Sequence, residues 1–117
     1  MKVNLSYLQE MSAGNQALIL EMIAIFCEQV EEFNKGLAEH LQKQEYELLG
    51  KLAHKAKSSV SIMGLTDLAA DLKNLELMAK SGKNPEKYAT IVDRFKKETS
   101  EAVNELNQVI ENLELYL

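Results

Sequence analysis

Apolar residues recur every three or four positions through most of the chain, the spacing of one face of an α-helix. Residues 4–12 predict a short first helix. Asn4 or Ser6 can cap it, Leu5, Leu8 and Met11 share a face, and Gly14 ends it. Asn15 then caps a long helix to about Lys43, with Ile19, Ile23, Phe26, Val30, Phe33, Leu37 and Leu41 as its stripe. At 1.5 Å per residue that helix is roughly 40 Å long. A weakly signalled turn over 43–45 leads to a helix from Tyr46 to Met63, which Gly64 stops. Leu65 or Thr66 opens the next helix, which carries Leu65, Leu68, Leu72, Leu75 and Ala79. Ser81-Gly82-Lys83-Asn84-Pro85 is the clearest loop: Gly82 ends one helix, Asn84 can cap another, and Pro85 fits a first helical turn. The last helix carries Tyr88, Ile91, Val92, Phe95, Ala102, Val103, Leu106, Val109, Ile110 and Leu113, and is expected to run almost to the end. Short connections make successive helices antiparallel neighbours. The pattern predicts an all-α fold: an antiparallel up-down-up-down four-helix bundle with a short extra N-terminal helix, in a single domain over 1–117.

One stretch of the long helix departs from a simple stripe. Leu18, Met22 and Ile25 form a second apolar line beside the core positions, and from Glu28 onward the outer faces turn polar. Either the N-terminal helix covers this line or it is an exposed patch for a partner.

Composition narrows the function classes. A hydrophobic fraction of 46% over 117 residues is enough to build one core. The net charge of −5 disfavours nucleic acid, whose phosphates call for clustered Lys and Arg. The densest basic group, Arg94, Lys96 and Lys97, has Asp93 and Glu98 beside it and reads as solvated helix surface. Cys27 is a lone cysteine, so it forms no internal disulfide, and it reads as a small apolar residue. No Cys/His cluster has metal-ligand spacing. The apolar run Ala17–Cys27 is interrupted by Glu21 and is too short for a bilayer, and the N-terminus shows no signal-peptide pattern. The expected location is cytoplasmic.

The chemistry centres on His54. On a helical wheel Glu47, Lys51, Lys57, Ser58 and Ser61 fall within about 60° of it, while Leu49, Leu52, Ala56, Val60 and Met63 lie opposite. The imidazole is thus expected in the middle of the solvent face. Lys57, three residues on, can approach whatever the ring holds, and small Ser58 leaves the ring accessible. Glu76 sits on the apolar stripe of the next helix, where a carboxylate is out of place. With the hairpin turning near residue 65, positions 54 and 76 are both eleven residues from the turn and come level. Glu76 can then accept the Nδ1 proton of His54 and leave Nε2 as a nucleophile; the alternative is a seam-edge carboxylate with its head in water. The other histidine, His40, lacks this setting and reads as solvated surface. No Ser/His/Asp set or phosphate-cradling glycine loop appears.

These residues resemble the histidine-containing phosphotransfer domains of phosphorelays. That family has a His, a Lys three residues later, then Gly and small residues, a Gly ten past the His, and a Leu-rich helix. Here His54, Lys57 and Gly64 match, with Ser59 and Ser61 as small residues. Leu68, Leu72, Leu75 and Glu76 match the helix that follows, and Asn4 to Phe33 looks like the family's leading part, so the resemblance covers the whole length. Ser58 departs from the pattern, since the family usually has Gly directly after the Lys to let a partner approach closely. Altered partner geometry is expected from it.

The resemblance implies that His54 accepts a phosphoryl group from a receiver-domain aspartate and passes it to another receiver. Lys57 would help neutralise the phosphoryl oxygens, and Glu76 would orient the ring. Leu18, Met22, Ile25, Lys51, Ser58, Ser61 and Gly64 are the expected partner contacts. Response-regulator receiver domains and a hybrid histidine kinase are the implied partners. The chain itself is expected to need no cofactor, since the receiver brings the Mg²⁺, and to lack autokinase activity. No feature signals a dimer, and the start at Met1 with a helical end suggests a free-standing carrier. A helical adaptor that binds a receiver or kinase while His54 stays idle is the competing reading.

Overall fold

The computed structural model describes residues 2–113. Five α-helices are formed among them: α1 (Ser6–Ser12), α2 (Gln16–Gln42), α3 (Tyr46–Ile62), α4 (Thr66–Ser81) and α5 (Tyr88–Glu111), with a 3-10 turn at Pro85–Lys87 before the last. Helix α2 packs on α3 and α5, and α4 packs on α3 and α5, which closes a four-helix bundle. The described residues measure 45 Å along the long axis and about 20 Å across it.

The apolar stripes meet at the centre. Ile23, Leu37, Leu49, Leu72, Leu75, Phe95 and Leu106 are fully or almost fully excluded from solvent. Phe33 meets Phe95 edge to face with centroids 6.5 Å apart, locking α2 to α5. Asn34 Nδ2 donates to Thr99 Oγ1 at 3.3 Å on the same seam. Buried Tyr88 donates its hydroxyl towards the carbonyls of Met78 and Lys83, at 2.8 and 2.6 Å, and so fastens the α4–α5 connection.

The turns follow capping chemistry, with departures from the sequence pattern. Asn15 Oδ1 accepts from the Leu18 amide at 3.1 Å and starts α2 as expected. Asn4 accepts from the Ser6 amide at 3.0 Å, but the helix it precedes begins only at Ser6. Met11, expected on the covered face of α1, is 47% exposed, because Ser12 and Leu8 take the inner positions. Asn84 does not cap with its side chain: it adopts left-handed backbone (φ 53°) and leads into the 3-10 turn rather than directly into α5. Gly82 closes α4 in the left-handed conformation, with the Lys83 amide donating to the Met78 carbonyl at 2.9 Å. The α2–α3 turn uses the same geometry with Gln44 (φ 58°) in the glycine position. Residues 114–117, over which the last helix was expected to continue, lie outside the described residues.

A strap precedes α1. The Asn4 amide donates to the Met63 carbonyl at 3.0 Å, and the Lys2 amide donates to Glu105 at 2.6 Å. The Lys2 ammonium meets Glu98 at 2.6 Å and Glu101 at 2.9 Å, and these carboxylates raise its pKa above the ordinary value. The strap therefore ties the α3–α4 turn to α5.

Candidate functional site

The site lies on the seam between α3 and α4, the most extensively packed helix pair. Gly50 makes the closeness possible. It is buried, and a Cβ there would stand 3.3 Å from the Glu76 carbonyl oxygen and 3.5 Å from Ala79 Cβ. One turn beyond Gly50, His54 projects outward with its side chain 60% exposed.

Glu76 lies across the seam from it. Its side chain is only 9% exposed, and Oε1 stands 3.0 Å from His54 Nδ1. Lys80 Nζ, one turn along α4, reaches the other oxygen, Oε2, at 2.9 Å. Lys57 Nζ approaches Oε1 at 3.8 Å. Hydrogen bonding from Lys80 lowers the Glu76 pKa from its ordinary value, with the bond from His54 adding to it, against burial, which works the other way. The carboxylate is therefore ionised near neutral pH and can only accept. Its partner atom Nδ1 must then carry the hydrogen, and Nε2 is the ring atom left with a lone pair.

Around this centre the charge is basic, although the chain is acidic. Lys51, Lys55 and Lys57 share α3 with His54, and Lys80 stands opposite. Lys51 is exposed and stands 3.6 Å from Glu47. Lys57 is half-buried and leans toward Glu76. Such a surface favours an anionic group at the ring.

One turn along α3 from His54 begins an apolar groove between α2 and α3, about 190 Å³ in volume, with Met22, Ile25, Phe26, Ser58, Ile62 and Met63 in its walls. Across it Ser59 donates to Gln29 at 2.9 Å. Of the apolar line on α2, Ile25 is 47% exposed, Leu18 38% exposed and Met22 half-buried, so α1 leaves the line open. Met22 and Ile25 join Ser58 in the groove, while Leu18 lies outside its lining. Ser61 is exposed but gives its hydroxyl to the Lys57 carbonyl at 2.8 Å.

Gly64, expected among the partner contacts, holds a positive φ of 75°, and a Cβ there would come within 2.5 Å of Asn4 Cβ and of the Asn4 carbonyl oxygen. The strap packs against one side of it and the glycine stays half-exposed, roughly 15 Å along the helix axis from His54. His40 differs from its expected solvated state: it is half-buried, with Nδ1 3.1 Å from Glu45. Sequence reasoning passed over Lys80, Gly50 and Gln29. Lys80 was findable from its four-residue spacing to Glu76. A glycine inside a helix and a glutamine on an outer face carry no comparable signal.

Among the described residues no helix is long and apolar enough to cross a membrane. Neither the curated proteins nor the solved structures compared with the chain include a significant match. The family model for the Hpt domain matches residues 21–115, which takes in most of the bundle and the whole His54 seam. The chain belongs to the Hpt domain family, the helical phosphotransfer carriers of two-component signalling.

Proposed function

We propose that the chain is a phosphorelay intermediate, in which His54 accepts a phosphoryl group from the aspartate of one receiver domain and hands it to another. Members of the family interact with receiver domains and histidine kinases. The observation that carries the assignment to His54 is the ring itself: 60% exposed, with Nδ1 held 3.0 Å from a buried carboxylate. In the transfer the Nε2 lone pair forms a bond to phosphorus as the P–O bond to the donor aspartate breaks. The aspartate leaves as a carboxylate, and the hydrogen on Nδ1 stays with the ring. The positive charge gained by the imidazole faces Glu76. Lys57, held only at 3.8 Å, can swing to the phosphoryl oxygens.

Phosphoryl transfer mainly requires positioning and charge neutralisation. The receiver would bring the Mg²⁺ and the acidic pocket around it, which the lysines at 51, 55, 57 and 80 complement. Met22, Ile25 and Ser58 would form the adjoining apolar contact. In this reading residues 1–117 act as one domain, need no cofactor of their own, act as a monomer in the cytoplasm, and do not phosphorylate themselves from ATP. Incubation with a radiolabelled phospho-receiver tests the reading. The parent takes acid-labile, alkali-stable label and His54→Gln takes none. Equal labelling of the variant overturns the assignment, and a parent that binds a receiver without taking label favours the adaptor.

A further inference from the structure

We propose that Lys80 is a positioning residue for transfer at His54, acting through Glu76, and that Gly50 provides the space in which it does so. This rests on His54 being the phosphoryl acceptor. The terminal torsion of a glutamate is broad, so a carboxylate with one anchored oxygen can still turn away from its partner. Glu76 is anchored at both ends. Oε2 accepts from Lys80 at 2.9 Å while Oε1 faces His54 Nδ1 at 3.0 Å. With Oε2 occupied, Oε1 is aimed at the ring, and the aim selects the tautomer whose lone pair is on Nε2.

The stem of Lys80 lies over α3 at Gly50. A Cβ at that position would stand 3.4 Å from Lys80 Cγ and 3.3 Å from the Glu76 carbonyl oxygen. A larger residue would crowd the Glu76 carbonyl first, and so press α4, which carries both Glu76 and Lys80, away from α3. The glycine, the lysine and the carboxylate therefore form one device along the seam.

The two lysines divide the work. Lys57 stands beyond hydrogen-bond distance from Glu76, on the same helix as His54, and is free to follow the phosphoryl group. Lys80 is within hydrogen-bond distance and stays behind the carboxylate. It also keeps the Nδ1 hydrogen on the ring: a carboxylate bonded to an ammonium competes less well for that hydrogen when the imidazole becomes cationic. The lowered Glu76 pKa, to which Lys80 contributes most, agrees with this.

Nitrogen NMR of the full chain labelled in its histidines tests the device without any phosphoryl donor. The parent shows the Nδ1–H tautomer at His54. Lys80→Met shifts the ring toward the Nε2–H form, and Lys80→Arg retains the parent spectrum. In the matching transfer assay Lys80→Met loses roughly tenfold in rate, about the worth of one charge-assisted hydrogen bond, and Lys80→Arg recovers most of it. Lys80 is half exposed, so the Met variant is expected to fold, and Lys80→Gln serves if it does not. A parent-like His54 spectrum in Lys80→Met, or an Arg variant as impaired as the Met variant, overturns the proposal. A parent that takes no phosphoryl group contradicts the carrier reading instead, and the tautomer comparison still decides the role of Lys80.

Discussion

Glu76 Oε1 and His54 Nδ1 stand 3.0 Å apart across the α3–α4 seam, although they are 22 positions apart in the chain. The carboxylate is buried and the ring is exposed, so one end of the pair is held by the protein and the other is offered to solvent. Replacing Glu76 by Gln keeps an acceptor for Nδ1–H but removes the charge that faces the cationic phosphoimidazole. Phosphoryl occupancy of Glu76→Gln at equilibrium with a receiver is expected to fall by roughly tenfold, as for a lost charge-assisted interaction. Quantifying phosphohistidine after equilibration checks this.

Glu76, held chiefly by its hydrogen bond from Lys80, also sets an acid limit on stability. The folded pKa of Glu76 lies below its ordinary value of 4.5. A carboxylate with a depressed folded pKa contributes stability that is present above the unfolded value and is lost as pH falls through the folded value. Unfolding free energy should therefore decline as pH drops below about 4.5. Glu39 and Glu101, lowered mainly by hydrogen bonds from Lys43 and Lys2, share in that slope. Glu76→Gln should show a shallower acid decline than the parent in urea titrations across this range.

The α2–α3 groove separates docking from chemistry. Ile25 is 47% exposed, so Ile25→Asp should leave the melting temperature nearly unchanged. Placed next to Ser58 in the groove wall, it should raise the half-saturating receiver concentration by roughly ten- to a hundredfold, the range of a central apolar interface contact. Leu18→Asp, outside the groove lining, should do less. Titrating transfer rate against receiver concentration distinguishes the two.

Two turn positions should respond in opposite directions. Gln44 holds a left-handed conformation (φ 58°) that glycine adopts without steric cost, so Gln44→Gly is expected to stabilise the chain by about 0.5–1 kcal/mol. Gly64→Ala adds a Cβ into the Asn4 backbone at a positive φ and should destabilise by about 2 kcal/mol or more, loosening the strap. Thermal unfolding measures both.

The same two positions show what could be read from the chain. Gly64 and Gly82 are glycines in left-handed helix ends, and both turns were legible. Gln44 makes an equivalent turn with a residue that signals nothing, and the 43–45 connection was correspondingly faint. The bundle was legible because apolar spacing decides which face of each helix is buried. The His54–Glu76 juxtaposition was legible because equal rise on two antiparallel helices converts sequence distance into level. The bond from Lys80, the clearance at Gly50 and the approach of Asn4 to Gly64 depend on how closely particular backbones come together, which periodicity does not encode. The exposure of Leu18, Met22 and Ile25 could not be read from spacing for the same reason: whether a short helix covers a line depends on its packing angle.

The most direct measurement is the site of the phosphoryl group itself. The full chain, labelled with ¹⁵N in its histidines, is phosphorylated by a phospho-receiver and the modified ring identified by phosphorus–nitrogen coupling. A single phosphoryl group on Nε2 of His54, with hydrogen retained on Nδ1, is the predicted result. A phosphoryl group on Nδ1, on His40, or on no histidine at all would contradict the account.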